Sequence, residues 1–88
     1  MTEIQVGMLA KSIAGRDKDS IYVIIKMDTE YVYLVDGKYK LLDKPKKKKK
    51  KHIQIIHSIP KNYLSLKKEG KVIQDEHIKR MIHLYRNR

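Results

Sequence analysis

The chain has no cysteine, no tryptophan and no phenylalanine, and it carries only four glycines and two prolines. Without cysteine there is neither a disulfide nor a thiolate metal ligand. Without Trp or Phe, the aromatic content rests on six tyrosines, side chains that bury a ring while keeping a hydroxyl wet. Long apolar runs are missing too. The longest, residues 21–25, is far short of the ~20 residues that a bilayer-spanning helix requires. Met1-Thr2-Glu3-Ile4-Gln5 lacks the basic and then apolar regions of a secretion signal, so the expectation is a cytoplasmic protein.

Catalytic constellations are also missing. The chain has no Gly-rich phosphate loop, no nucleophile beside an evident base and no paired carboxylates in a cleft-forming context. Asp17 and Asp19 sit in a basic stretch and read as turn residues. The four histidines, His52, His57, His77 and His83, lack the close helical spacing and carboxylate company of a zinc site. The expectation is a non-enzyme with no metal centre, no cofactor and no catalytic residue.

What the chain does have is positive charge. Twenty-one Lys and Arg against ten Asp and Glu give a formal charge of +11 on 88 residues. Charge of that density opposes compaction and calls for an anionic partner, most commonly nucleic acid. At this length the chain forms one domain with little core to spare.

The pattern along the chain is mainly β. Residues 4–13 are moderately apolar and end in the polar stretch 14–20. Ile21-Tyr22-Val23-Ile24-Ile25 and Tyr31-Val32-Tyr33-Leu34-Val35 are β-branched and aromatic runs suited to strands, separated by a turn at residues 27–30. The Asp36-Gly37 pair predicts a tight hairpin turn that returns residues 39–42 as a fourth strand. Residues 44–51 hold seven lysines broken only by Pro45, and mutual repulsion places them at an exposed edge or in a loop. Ile53-Gln54-Ile55-Ile56 predicts a fifth strand, ended by Pro60. Five short strands at this spacing favour a small barrel over a sandwich.

Beyond residue 60 the pattern turns helical. Residues 61–69 predict a short helix stopped by Gly70. Ile78, Met81, Ile82 and Tyr85 then form one apolar stripe at helical spacing. Asp75 and Glu76 suit the positive end of that helix, and Arg86 and Arg88 its negative end. The expected organisation is a barrel over residues 1–60, including the basic segment 44–52, with a helical extension over 61–88 packed on it.

Val6-Gly7-Met8-Leu9-Ala10-Lys11-Ser12-Ile13-Ala14-Gly15-Arg16-Asp17-Lys18, followed by residues 21–25, resembles a KOW motif: a strand, a glycine-containing basic loop and a second strand. Gly15 matches the motif's glycine, which lets the loop backbone turn tightly and approach RNA closely. Val35-Asp36-Gly37, Lys44-Pro45 with its lysine run, and Lys51-His52-Ile53 are similar to KOW-containing large-subunit ribosomal proteins and their short bacterial relatives. The resemblance covers roughly residues 4–57. Family loops usually carry a glycine after the lysine that Lys18 matches, whereas Asp19-Ser20 follow here. The resemblance implies a small SH3-like (KOW) β-barrel with one or two C-terminal α-helices, a monomer when free. It implies binding of structured RNA, with ribosomal RNA of the large subunit as the expected partner.

The residues expected to touch RNA are Lys11, Gly15, Arg16 and Lys18 of the first loop, with Lys44, Lys46, Lys47, Lys48, Lys49, Lys50, Lys51 and His52. Lysines neutralise phosphates and read bases poorly, whereas Arg16 can fork onto a phosphate or stack on a base. Six phosphate contacts would give log K against log salt a slope of about −4 to −5.5. Tyr22, Tyr31, Tyr33 and Tyr85 read as core residues, leaving Tyr39, between Lys38 and Lys40, as the candidate for exposed stacking. An alternative is a protein-interaction KOW module that docks on an acidic partner such as the transcription machinery. An anionic-lipid binder ranks last, because no apolar face accompanies the lysines.

Overall fold

In a computed structural model, which describes residues 4–87, the chain forms a five-stranded antiparallel sheet and two helices. Arg88, assigned above to the last helix's end, and Met1 to Glu3 lie outside the described residues. The strands are β1 (Leu9–Ser12), β2 (Ile21–Met27), β3 (Tyr31–Val35), β4 (Lys46–Lys49) and β5 (Ile53–Ile56), in the spatial order β4-β3-β2-β1-β5. A single 3-10 turn, Lys50–His52, joins the two edge strands, β4 and β5. Helices α1 (Lys61–Lys68) and α2 (Asp75–Arg86) follow. No helix among the described residues is long and apolar enough to cross a membrane.

Alternation along the strands separates two apolar clusters. Met8, Ala10, Tyr22, Ile24, Val32, Leu34 and Ile53 fill one face of the sheet. On the other, Leu9, Ile21, Val23 and Val35 meet Tyr63 of α1 and Ile78, Met81 and Ile82 of α2. The helices therefore share a core with the sheet. The predicted stripe on α2 is the one that is buried, with Ile78 at 0% exposure. Burying each such side chain contributes about 1.5–3 kcal/mol before entropy is counted. Between Ile24 and Lys26 the β2–β3 register slips, a bulge of the kind that bends a strand and re-aims its side chains.

The fourth strand is not residues 39–42. Asp36 Oδ1 accepts the backbone N–H groups of Lys38, Tyr39 and Lys40 at 2.9, 2.8 and 2.8 Å, which coils the segment into a compact turn. Leu42 N–H is then drawn to Asp75 Oδ1 at the start of α2, 2.8 Å away. Gly37 explains the close approach: its φ is +77°, and a Cβ there would collide with the Asp75 carbonyl and the Lys79 backbone. With this segment held on α2, the edge of β3 is free to pair with Lys46–Lys49 instead. The lysine run is thus an edge strand, a position where charge deters pairing with other chains.

Candidate nucleic-acid interface

The β1–β2 loop is built around Asp17. Ser12 Oγ donates to its Oδ1 at 2.9 Å and the Tyr22 hydroxyl to its Oδ2 at 3.0 Å. Lys48 Nζ and Lys46 Nζ reach the same two oxygens, each at 2.8 Å. Lys48 Nζ also donates to the Ala14 carbonyl at 3.0 Å. Burial alone would raise the Asp17 pKa, but the bonds from Lys46, Lys48, Ser12 and Tyr22 outweigh it and hold the carboxyl well below the usual range. Tyr22, 3% exposed, is pushed up to about 12 by burial first and then by the Asp17 charge. Asp17 is therefore more than a turn residue: it clamps the loop to β4.

Two backbone positions shape this loop. Gly15 has φ +86°, and a Cβ there would stand 3.7 Å from Lys48 Nζ. Asp19 has φ +75°, a left-handed conformation that glycine adopts most easily. The Asp19 carboxylate lies 3.5 Å from Lys11 Nζ, a solvated pair of small energetic value.

Alternation divides the lysines of β4. Lys46 and Lys48 pair with Leu34 and Val32 and turn toward Asp17. Lys47 and Lys49 pair with Tyr33 and Tyr31 and are exposed on the opposite face. Lys26 pairs with Tyr33 from the other side, so Lys26, Tyr33 and Lys47 form one row across three strands. Lys47 Nζ lies 4.3 Å from the Tyr31 ring centroid and Lys26 Nζ 5.4 Å from that of Tyr33, within cation–π range. Tyr31 and Tyr33 are half-buried, and neither belongs to the buried clusters, so their expected core role is corrected. Alternation sets Tyr31 and Tyr33 on the Val35 side of β3, opposite Val32 and Leu34, but neither joins the cluster that Val35 forms with the helices.

Asp28 borders this face. Its Oδ1 accepts the N–H groups of Tyr31 and Glu30 at 2.8 and 3.0 Å, and these bonds, Tyr31's foremost, lower its pKa. The remaining predicted residues are spread around the edge. Arg16, Lys18, Lys44 and Lys51 are exposed, and Lys50 and His52 are half-buried in the 3-10 turn. Lys50 N–H donates to the Glu30 carbonyl at 2.9 Å, and the His52 carbonyl accepts Ile13 N–H at 3.0 Å, so both carry backbone structure. His77 takes a structural part as well, its Nδ1 accepting Gln74 N–H at 3.0 Å at the start of α2. Among the described residues no cluster of acids and histidines could hold a metal ion.

The first loop and the lysine strand thus meet at Asp17, through Lys46 and Lys48. The sequence reading missed Lys26, Tyr31 and Tyr33, although the Tyr31-Val32-Tyr33-Leu34 alternation carries that signal. No protein-family model matches the chain, and a search of curated proteins finds no significant match.

Proposed function

We propose that this chain is a non-enzymatic, cytoplasmic RNA-binding module that holds structured RNA through its phosphates on the Lys26–Lys47–Lys49 face. The observation that carries this reading is the alternation of β4, which leaves Lys47 and Lys49 exposed beside two outward tyrosines. Ammonium groups over aromatic rings suit a ligand that is both anionic and planar, and RNA is both. Lys46 and Lys48 serve the face indirectly, by fixing β4 through Asp17. Arg16 and Lys18 are exposed on the Asp17 loop, which meets the other side of β4. Binding of this kind reads charge and shape rather than base edges.

The fold belongs, in this reading, to the SH3-like barrels of the KOW kind. The strand order supports it, with the edge strands joined by one 3-10 turn. The KOW resemblance makes large-subunit ribosomal RNA the favoured target. The test is crosslinking the protein to RNA in cells and sequencing what is attached, with sedimentation of the same lysate at rising salt. Large-subunit RNA in the crosslinks, with co-sedimentation lost as salt rises, is the expected result. Crosslinks spread evenly over both subunits would reject the ribosomal target. A protein complex that survives nuclease, with no RNA crosslinked, would reject RNA in favour of an acidic protein partner.

A further inference from the structure

A second site lies where the turn after β3 meets α2 and the start of β4. Asp36 ties the backbone of this turn through three N–H bonds, leaving the Tyr39 side chain projecting at 75% exposure. Lys38 Nζ stands 5.0 Å from the ring centroid. The ring separates two clefts of about 450 and 430 Å³, and it is the residue that lines both. In the first, Lys38 is joined by Lys79, His83 and Arg86, which fall at i, i+4 and i+7 along one stripe of α2. The second contains Lys40, Lys44 and Lys46, with one acid, Asp43, among them. The acid of the first cleft, Asp36, already accepts those three N–H groups, which leaves the cationic side chains facing the solvent in excess.

An exposed aromatic ring with cations on both sides suits a polyanion that runs past it, laying one base on the ring. We propose that Tyr39 is a stacking platform for one unpaired nucleotide of an RNA. The phosphate on one side is held by Lys79 and Arg86, and the phosphate on the other by Lys40 and Lys44. A fully paired helix cannot use this site, because its bases are stacked on one another. The inference rests on the RNA reading above and adds the class of RNA that fits: a helix interrupted by a bulge or an end. Tyr39 contributes the π face and not its hydroxyl, since stacking is indifferent to base identity.

The test compares two RNA hairpins that differ by a single-nucleotide bulge, with 2-aminopurine at the bulge. Affinities are measured at one salt concentration for the wild type, Tyr39→Phe and Tyr39→Ala. Tyr39→Ala is expected to weaken the bulged hairpin by about five- to one-hundred-fold and to leave the paired hairpin unchanged. Tyr39→Phe should bind both as the wild type does. The 2-aminopurine emission should be quenched by the wild type and Tyr39→Phe, and spared by Tyr39→Ala. Lys79→Gln with Arg86→Gln should flatten the salt slope for the bulged RNA by about 0.7, one phosphate contact's worth. If Tyr39→Ala binds both hairpins as the wild type does, or weakens both equally, the platform is refuted while the lysine face stands. If the wild type binds neither hairpin, the RNA reading falls and this site falls with it.

Discussion

Asp17 is one carboxylate in a loop of cations, and two ammonium groups, a phenol and a hydroxyl converge on it. Its folded pKa is depressed below the ordinary value near 3.9, so its stabilisation is present above about pH 4 and disappears as pH falls further. Asp17→Asn should cost about 2–3 kcal/mol in urea unfolding at neutral pH, because it removes charge-assisted bonds from a poorly solvated site. That deficit should shrink steadily between about pH 5 and pH 2, where the wild-type carboxyl loses its advantage. A deficit of equal size at both pH values would remove Asp17 from the centre of the loop. Tyr22 supplies the alkaline counterpart: with its pKa raised to about 12, its stabilisation is full below about pH 10 and is lost through pH 12. In an absorbance titration its ionisation should appear near pH 12, above the ordinary tyrosine value near 10, and that component should vanish in Tyr22→Phe. The sequence reading placed Asp17 correctly in a turn and missed its role, because its two lysine partners lie 29 and 31 residues away. Local pattern carries no information about pairs so far apart.

Strand β4 turns four consecutive lysines into two pairs with different duties. Repulsion along the strand is relieved because alternate side chains diverge, one pair onto Asp17 and the other toward Tyr31. Lys46→Gln with Lys48→Gln should therefore lower stability by about 2–3 kcal/mol, while Lys47→Gln with Lys49→Gln should change it by less than about 0.5 kcal/mol. Equal losses would mean that the run is a uniform solvated strand. β-propensity disfavours lysine, so the sequence located this segment at an edge without revealing that it pairs. The Asp36-Gly37 pair misled for a related reason: its glycine is needed for the approach of α2, not for a hairpin. Gly37→Ala should cost at least ~2 kcal/mol in thermal unfolding, since it combines a left-handed backbone with a steric collision. The helices were more legible, because the stripe Ile78, Met81, Ile82 and Tyr85 has no other use than burial.

Across the whole molecule, a charge of +11 must be tolerated by a fold with two small apolar clusters. The sheet does so by drawing two lysines onto one carboxylate and keeping others at its surface. Composition alone made an anionic partner the expectation, but it could not say which cations are free to meet one. That distinction depends on register and curvature, which only the paired strands define. The most direct measurement is the salt dependence of affinity for a structured RNA, taken for the wild type and both lysine pairs under conditions where all are folded. Removing Lys47 and Lys49 should flatten the slope of log K against log salt by about 1.4–1.8, two phosphate contacts' worth. Removing Lys46 and Lys48 should leave that slope unchanged. If the two variants flatten it equally, or if neither does, the exposed Lys47–Lys49 face is not where RNA is held.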